Sequence, residues 1–277
     1  MGMFGLGLRS PHHSHVLQNK PKVDFFEVHT ENFIADGGAS LDFLSKISAI
    51  YPLSFHSVGI SLGSAGKLNS IHLKRIKSLI DQFKPLLLSD HLSWSNSPIA
   101  GVGNDLLPIP YTKESLQIFC DNVKEAQDYF GRQILVENPS AYLEYKITEM
   151  SETDFLNELV KQSGCALLLD INNIYVSCRN FNLDAKKYLQ EIDAASVKEI
   201  HLAGHSIHKY KKQKTWQEIR IDTHNTNVCD DVLELYKLFA KKNPEIPTLI
   251  EWDQDIPKFE VLYEEMEKAR LICITQL

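Results

Sequence analysis

Short apolar runs rich in β-branched and aromatic residues recur along the chain, with amphipathic stretches between them. The runs are Phe4–Leu8, Val23–Val28, Leu53–Val58, Leu86–Ser89, Ile134–Glu137, Ala166–Asp170, Val197–Leu202 and Thr248–Glu251. The intervening stretches carry apolar residues three and four apart, the period of a helix with one buried face. Examples are Leu41-Leu44-Ile47-Ile50, Leu73-Ile76-Leu79-Ile80-Phe83 and Leu116-Phe119-Val123-Ala126-Phe130. Further on come Phe155-Leu156-Leu159-Val160, Val232-Leu235-Tyr236-Phe239 and Phe259-Leu262-Met266. Ser151 followed by Asp154 marks a helix start of the capping-box kind. Nearly continuous apolar strands alternating with helices predict a parallel sheet covered on both faces. Eight such units in 277 residues average about 35 residues each, which predicts a single α/β domain over 1–277, a (β/α)8 TIM barrel. A doubly wound open sheet is the alternative, but GLGLRSP after the first run lacks the third glycine of a dinucleotide fingerprint.

The polar residues closing these runs are of one chemical kind. LSFH ends in His56, LLLSDH in His91, ILVEN in Glu137 and LLLDINN in Asp170 followed by Asn173. VKEIHLAGH carries His201 and His205, IRIDTH carries Asp222 and His224, and TLIEWD carries Glu251. The strand ends of a (β/α)8 barrel open into one mouth, so these distant residues converge there. One strand-end histidine is usually a hydrogen-bonded loop residue, and one buried aspartate is usually a helix cap. Carboxylates at one strand end after another are different, because buried charges must be paired or metal-bound. Imidazole and carboxylate without thiolate suit zinc, iron or manganese. The expectation is a multinuclear metal site.

Composition narrows the picture. The formal charge of −7 argues against a sequence-independent grip on nucleic acid, which needs a basic face. The five cysteines form no CxxC pair, so no disulfide framework is expected. No 18-residue apolar run, signal peptide or myristoylation signal is found, and the chain reads as cytoplasmic with no membrane segment. His12, His13 and His15 read as a loop cluster, with His13 a candidate for the rim of the site. His72 and His208 read as solvated, and Lys209-Tyr210-Lys211-Lys212 as an exposed loop.

At these residues the sequence resembles the multinuclear non-haem iron-dependent oxidative enzymes, the group that includes the methanobactin-biosynthesis oxidase. The matching stretches are GLGLR, DFFEVHTEN, LSFHSVGISLGS, LLLSDHLSWS, NDLLPIPYT, ILVENPSAY, LLLDINNIYVS, EIHLAGH, IDTH and PTLIEWD, in order through almost the whole chain. The resemblance implies a xylose-isomerase-like barrel binding two or three iron ions and using dioxygen. It implies oxidative modification of a residue, cysteine foremost, in a ribosomally made precursor peptide, with a small leader-binding partner protein. The catalytic residues it implies are His56, His91, Glu137, Asp170 and His201. Likeness to three-metal endonuclease-type barrels suggests how ligands divide: His56, His91 and Glu137 on one ion, and Glu137, Asp170, His201 and Glu251 on a second. The third would take Asn173, Asp222 and His224, with His205 an additional candidate. Asn173 departs from the endonuclease-type pattern, which has a histidine there. Alternatives are a metal-dependent hydrolase or phosphodiesterase on the same barrel, a sugar isomerase, which would want a strand-end lysine, and a protein that binds metal without turnover.

Overall fold

A computed structural model describes residues 2–97, 101–212 and 215–275. The strands in chain order are β1 (Phe4–Gly7), β2 (Phe25–His29), β3 (Leu53–His56), β4 (Leu87–His91), β5 (Trp94–Ser97) and β6 (Gly101–Leu107). They continue with β7 (Leu135–Glu137), β8 (Ala166–Asp170), β9 (Val197–Ala203), β10 (Ser206–Lys212), β11 (Thr215–Ile221) and β12 (Thr248–Glu251). Eight of them close a parallel barrel in the order β1-β12-β9-β8-β7-β4-β3-β2. Each barrel strand falls on one of the apolar runs, and the fold is a (β/α)8 barrel.

The helices form where apolar periodicity and caps coincide. Thr112 and Ser115 make a reciprocal capping box at Lys113–Phe130, and Gly131 ends that helix in the left-handed region at φ 69°. Ser151 accepts the Asp154 N–H at the start of Glu152–Ser163. Buried faces such as Leu116, Phe119, Val123 and Ala126 pack on the barrel exterior in one large apolar core.

Two antiparallel hairpins, β5–β6 and β10–β11, project from the barrel and were not apparent as strands. The lysine-rich 209–212 stretch is therefore part of strand β10 rather than a loop. His12, His13 and His15 also differ from the loop reading. They lie in a 3-10 turn and the helix His13–Asn19, where His13 stacks on Phe43 at 3.5 Å and His15 on Phe259 at 4.6 Å. His72 is half-buried rather than solvated, with Nε2 3.2 Å from Glu31 Oε1.

The register sets the mouth. His29 stands beside His56, His91 beside Glu137, and Asp170 beside His201. His29, His56, His91, Glu137 and Asp170 close their strands, and His201 stands two residues before the end of β9, so all face the C-terminal mouth of the barrel.

Candidate metal centre

Of five groups of donors among the described residues, two are His29, Glu251 and Asp253, and Glu27, Glu199 and His201, and the other three hold the strand-end candidates. In the first, His56 Nε2 and His91 Nε2 lie 3.2 Å apart and each is 3.3 Å from Glu137 Oε2. Ligands bound to one ion at about 2.0–2.2 Å stand about 3.0–3.5 Å from one another, so this spacing is that of neighbouring corners of a coordination shell. Ser89 Oγ lies 2.7 Å from His56 Nδ1 and fixes the ring so that Nε2 faces the centre. The second group is Glu137, Asp170 and His201, and the third is Asp170, His224 and Glu251. Glu137 and Asp170 each belong to two groups, as bridging carboxylates would.

Asp170 serves two ends at once. It caps the helix Ile171–Phe181 by accepting the Asn173 N–H at 2.6 Å through Oδ1. Its Oδ2 is buried and unpartnered. The cap and ligand readings of this aspartate are thus compatible. Asn173 donates from Nδ2 to Glu137 Oε1 and to the Asn138 carbonyl, leaving its own Oδ1 buried without a partner. His224 Nε2 is 2.7 Å from Asp222 Oδ1, and its Nδ1 is 2.9 Å from Asp253 Oδ2. His205 stands apart from the three groups. Its Nδ1 is 2.9 Å from Asn172 Oδ1, and Asn172 in turn donates to Asp222.

Buried polar atoms without hydrogen-bond partners are rare, because each costs several kcal/mol of lost hydration. Here Asp170 Oδ2 and Asn173 Oδ1 are in that condition, while Glu137 Oε2, His201 Nε2 and His224 Nε2 make no well-oriented hydrogen bond and stand only within ion-pair reach of His56 and His91, of Glu27 and of Asp222. Their convergence in one place fits bound cations, which would satisfy the buried oxygens and imidazole nitrogens together. The site opens into a cavity of about 260 Å³ lined by His29, His91, Leu106, Tyr142, Asn173, His224 and Asp253, among others.

Further residues belong to the site that the strand-end pattern alone did not select. Arg9 donates from Nε to Asp253 Oδ1 at 2.7 Å and from Nη2 to Glu251 Oε1 at 3.2 Å, and its Nη2 lies 3.0 Å from His29 Nε2. Gly7 makes this possible, since a Cβ there would stand 3.2 Å from the guanidinium. One layer deeper, Ser54 donates to Glu27 at 3.1 Å and lies 3.4 Å from Glu199, both fully buried. A signal for the two glutamates was present. Glu27 and Glu199 precede His29 and His201 by two residues, so they point to the same barrel interior.

Proton occupancy follows from this crowding. Burial and the neighbouring His91 hold His56 well below the usual imidazole range. Burial lowers His91 as well, but the Glu137 carboxylate and Asp90 outweigh it and push the ring up to about 9. Burial raises Glu137 to about 7 against the pull of His91. Without metal, then, His91 keeps its proton until about pH 9 and Glu137 until about pH 7. Both raised values favour the protonated metal-free fold, whose share of stability from these groups is lost as pH climbs through them. A bound ion needs both groups bare, so metal and protons compete. We expect metal affinity to fall as pH drops from 9 to 6, most steeply below about 7, with protons released on binding. Chelator competition across that range, with calorimetry in two buffers of different ionisation heat, checks both expectations.

No helix among the described residues is long and apolar enough to cross a membrane. Residues 3–273 match the family described as RiPP precursor modification enzyme MbnB/TglH/ChrH. A UPF0276 protein of Psychromonas ingrahamii is 47% identical over 269 residues, covering 97% of this chain and 93% of its own length. The UPF0276 protein VV3194 of Vibrio vulnificus is 43% identical over 274 residues, covering 99% and 92%. Among solved structures, a xylose isomerase-like TIM barrel protein of Mycobacterium smegmatis in complex with magnesium aligns with TM-score 0.62 at 10% identity, covering 100% of this chain and 98% of its own. An L-ribulose 3-epimerase aligns with TM-score 0.61 at 10% identity, covering 100% and 96%. At such identities these two share the fold.

Proposed function

The chain belongs to the MbnB/TglH/ChrH family of RiPP precursor modification enzymes, and we propose that it oxidatively modifies a residue, cysteine foremost, of a ribosomally made precursor peptide with iron and dioxygen. The observation that carries this reading is the convergence of buried carboxylate and imidazole atoms, an unpartnered Asp170 Oδ2 among them, beneath an open cavity. His56, His91 and Glu137 would hold one ion, Glu137, Asp170 and His201 a second, and Asp170, His224 and Glu251 a third, with Asn173 and Asp222 beside them. The donors are all nitrogen and oxygen, a set that suits iron and leaves sulfur ligation to the substrate. Bound iron supplies Lewis acidity and one-electron chemistry with dioxygen.

The chain's own residues do the positioning. Ser89 fixes the His56 ring, and Asn173 fixes one oxygen of Glu137 while leaving the other to the centre. Arg9 balances Glu251 and Asp253. The Tyr142 hydroxyl accepts from the Asp222 N–H at 2.9 Å and from Ser140 at 2.8 Å, so its own proton is free to meet a peptide carbonyl. Leu106 and Pro139 give the cavity apolar walls that keep water from the reacting residue. We place the enzyme in the cytoplasm, acting as one catalytic domain over 1–277 alongside a small leader-binding partner protein.

The test is a search of the neighbouring genes for a short cysteine-containing precursor and a leader-binding protein, followed by their co-expression with this chain. The expected result is a change in peptide mass that requires oxygen and iron. An unchanged peptide in the presence of fully iron-loaded protein and its partner would overturn the proposal.

A further inference from the structure

The β10–β11 hairpin leaves the barrel one residue after His205 and returns one residue before Asp222, so its base is continuous with the mouth. Its outer edges differ. On β11, Asn180 donates to the Arg220 carbonyl at 3.0 Å and accepts the Arg220 N–H at 2.9 Å. Arg220 stands opposite Ile207. Because both backbone groups of Arg220 turn away from β10, this is a non-hydrogen-bonded pair of the antiparallel ladder. Ile207, Lys209 and Lys211 therefore turn their N–H and C=O groups outward too, along the far edge of β10. No described strand other than β11 pairs with β10, and Ile207 is 50% exposed. The same residues share one face with Trp216, which is 71% exposed and stands opposite Lys211. Lys209 lies 3.4 Å from Glu218 in an exposed pair. On a chain of net charge −7, this face carries lysines beside an aromatic.

We propose that the free edge of β10 receives the precursor peptide as a third, extended strand whose acidic side chains face Lys209 and Lys211. Main-chain bonds to β10 supply the grip, and the lysines choose the charge. A strand of seven residues gives a track of about 20 Å leading to the mouth. This inference rests on the reading of the substrate as a peptide.

The probe is a short fluorescein-labelled peptide of alternating Glu and Val, with a Lys–Val peptide as control, followed by anisotropy on the metal-loaded chain. The acidic peptide should bind at least about tenfold more tightly, with an affinity that falls with salt. Lys209→Pro removes an outward N–H without touching the ladder, so the hairpin keeps its fold and the probe loses at least about tenfold. The double variant Lys209→Glu/Lys211→Glu should reverse the charge preference. Hydrogen exchange should show new protection at Ile207, Lys209 and Lys211. Unchanged affinity in both variants would overturn the proposal. So would tighter binding of single-stranded DNA or anionic vesicles at the same edge, or a dimer that Lys209→Pro dissolves. A probe that docks on β10 while no precursor is modified would count against the peptide-oxidation reading and leave the docking edge standing.

Discussion

Glu137→Gln removes at least two metal ions from each chain while leaving the barrel folded. The carboxylate faces both His56 Nε2 and His91 Nε2 at 3.3 Å and also stands in the group with Asp170 and His201. Glutamine keeps the volume but offers one neutral oxygen and an amide that cannot bridge. His91 loses the charge that raises its proton affinity, so the ring becomes neutral nearer the usual imidazole range. Binding of metal to the folded state is also stabilising by mass action, so the wild-type chain should gain thermal stability on loading and the variant much less. Elemental analysis of both proteins, with melting curves before and after loading, measures the two effects. Full metal content in the variant would show that the ligands divide otherwise.

Arg9→Gln destabilises the metal-free protein by about 3–5 kcal/mol, the typical cost of stripping one partner from a buried ion pair. Its guanidinium reaches Glu251 and Asp253 together, and the Glu251 side chain is only 4% exposed. Burial works against the charge on Glu251, yet His224 and His201 hold its carboxyl well below the usual range. Removing Arg9 takes away the nearest permanent cation. Arg9→Lys should recover only part of the loss, because a point charge cannot meet both carboxylates in the fork geometry. Urea denaturation of the chelated proteins gives the difference, and a loss under about 1 kcal/mol would mean that the pair is screened as a surface bridge is.

The barrel was legible because each strand is buried on both faces and so writes itself as an apolar run. Its metal-ligand candidates were legible because they close those runs. The β10–β11 hairpin was not, since both its faces meet solvent and HKYKKQKTWQ shows no buried period of two. The helix Ile171–Phe181 was hidden for another reason. It begins directly after Asp170 with no loop, and Asn172-Asn173 reads as a turn until Asp170 is seen as its cap. Glu27 and Glu199 are legible as interior-facing from their two-residue spacing to His29 and His201, but their approach to one another across Ser54 comes only with barrel closure. Arg9 was out of reach altogether, with partners 242 and 244 residues away that only barrel closure brings near.

We propose that the barrel mouth holds a multinuclear iron centre. Elemental analysis with Mössbauer spectroscopy on protein purified without oxidant tests it most directly. We predict two or three irons per chain, with at least two in magnetically coupled sites that His56→Ala and Asp170→Ala deplete. Full occupancy by zinc, with no iron bound, would contradict the account.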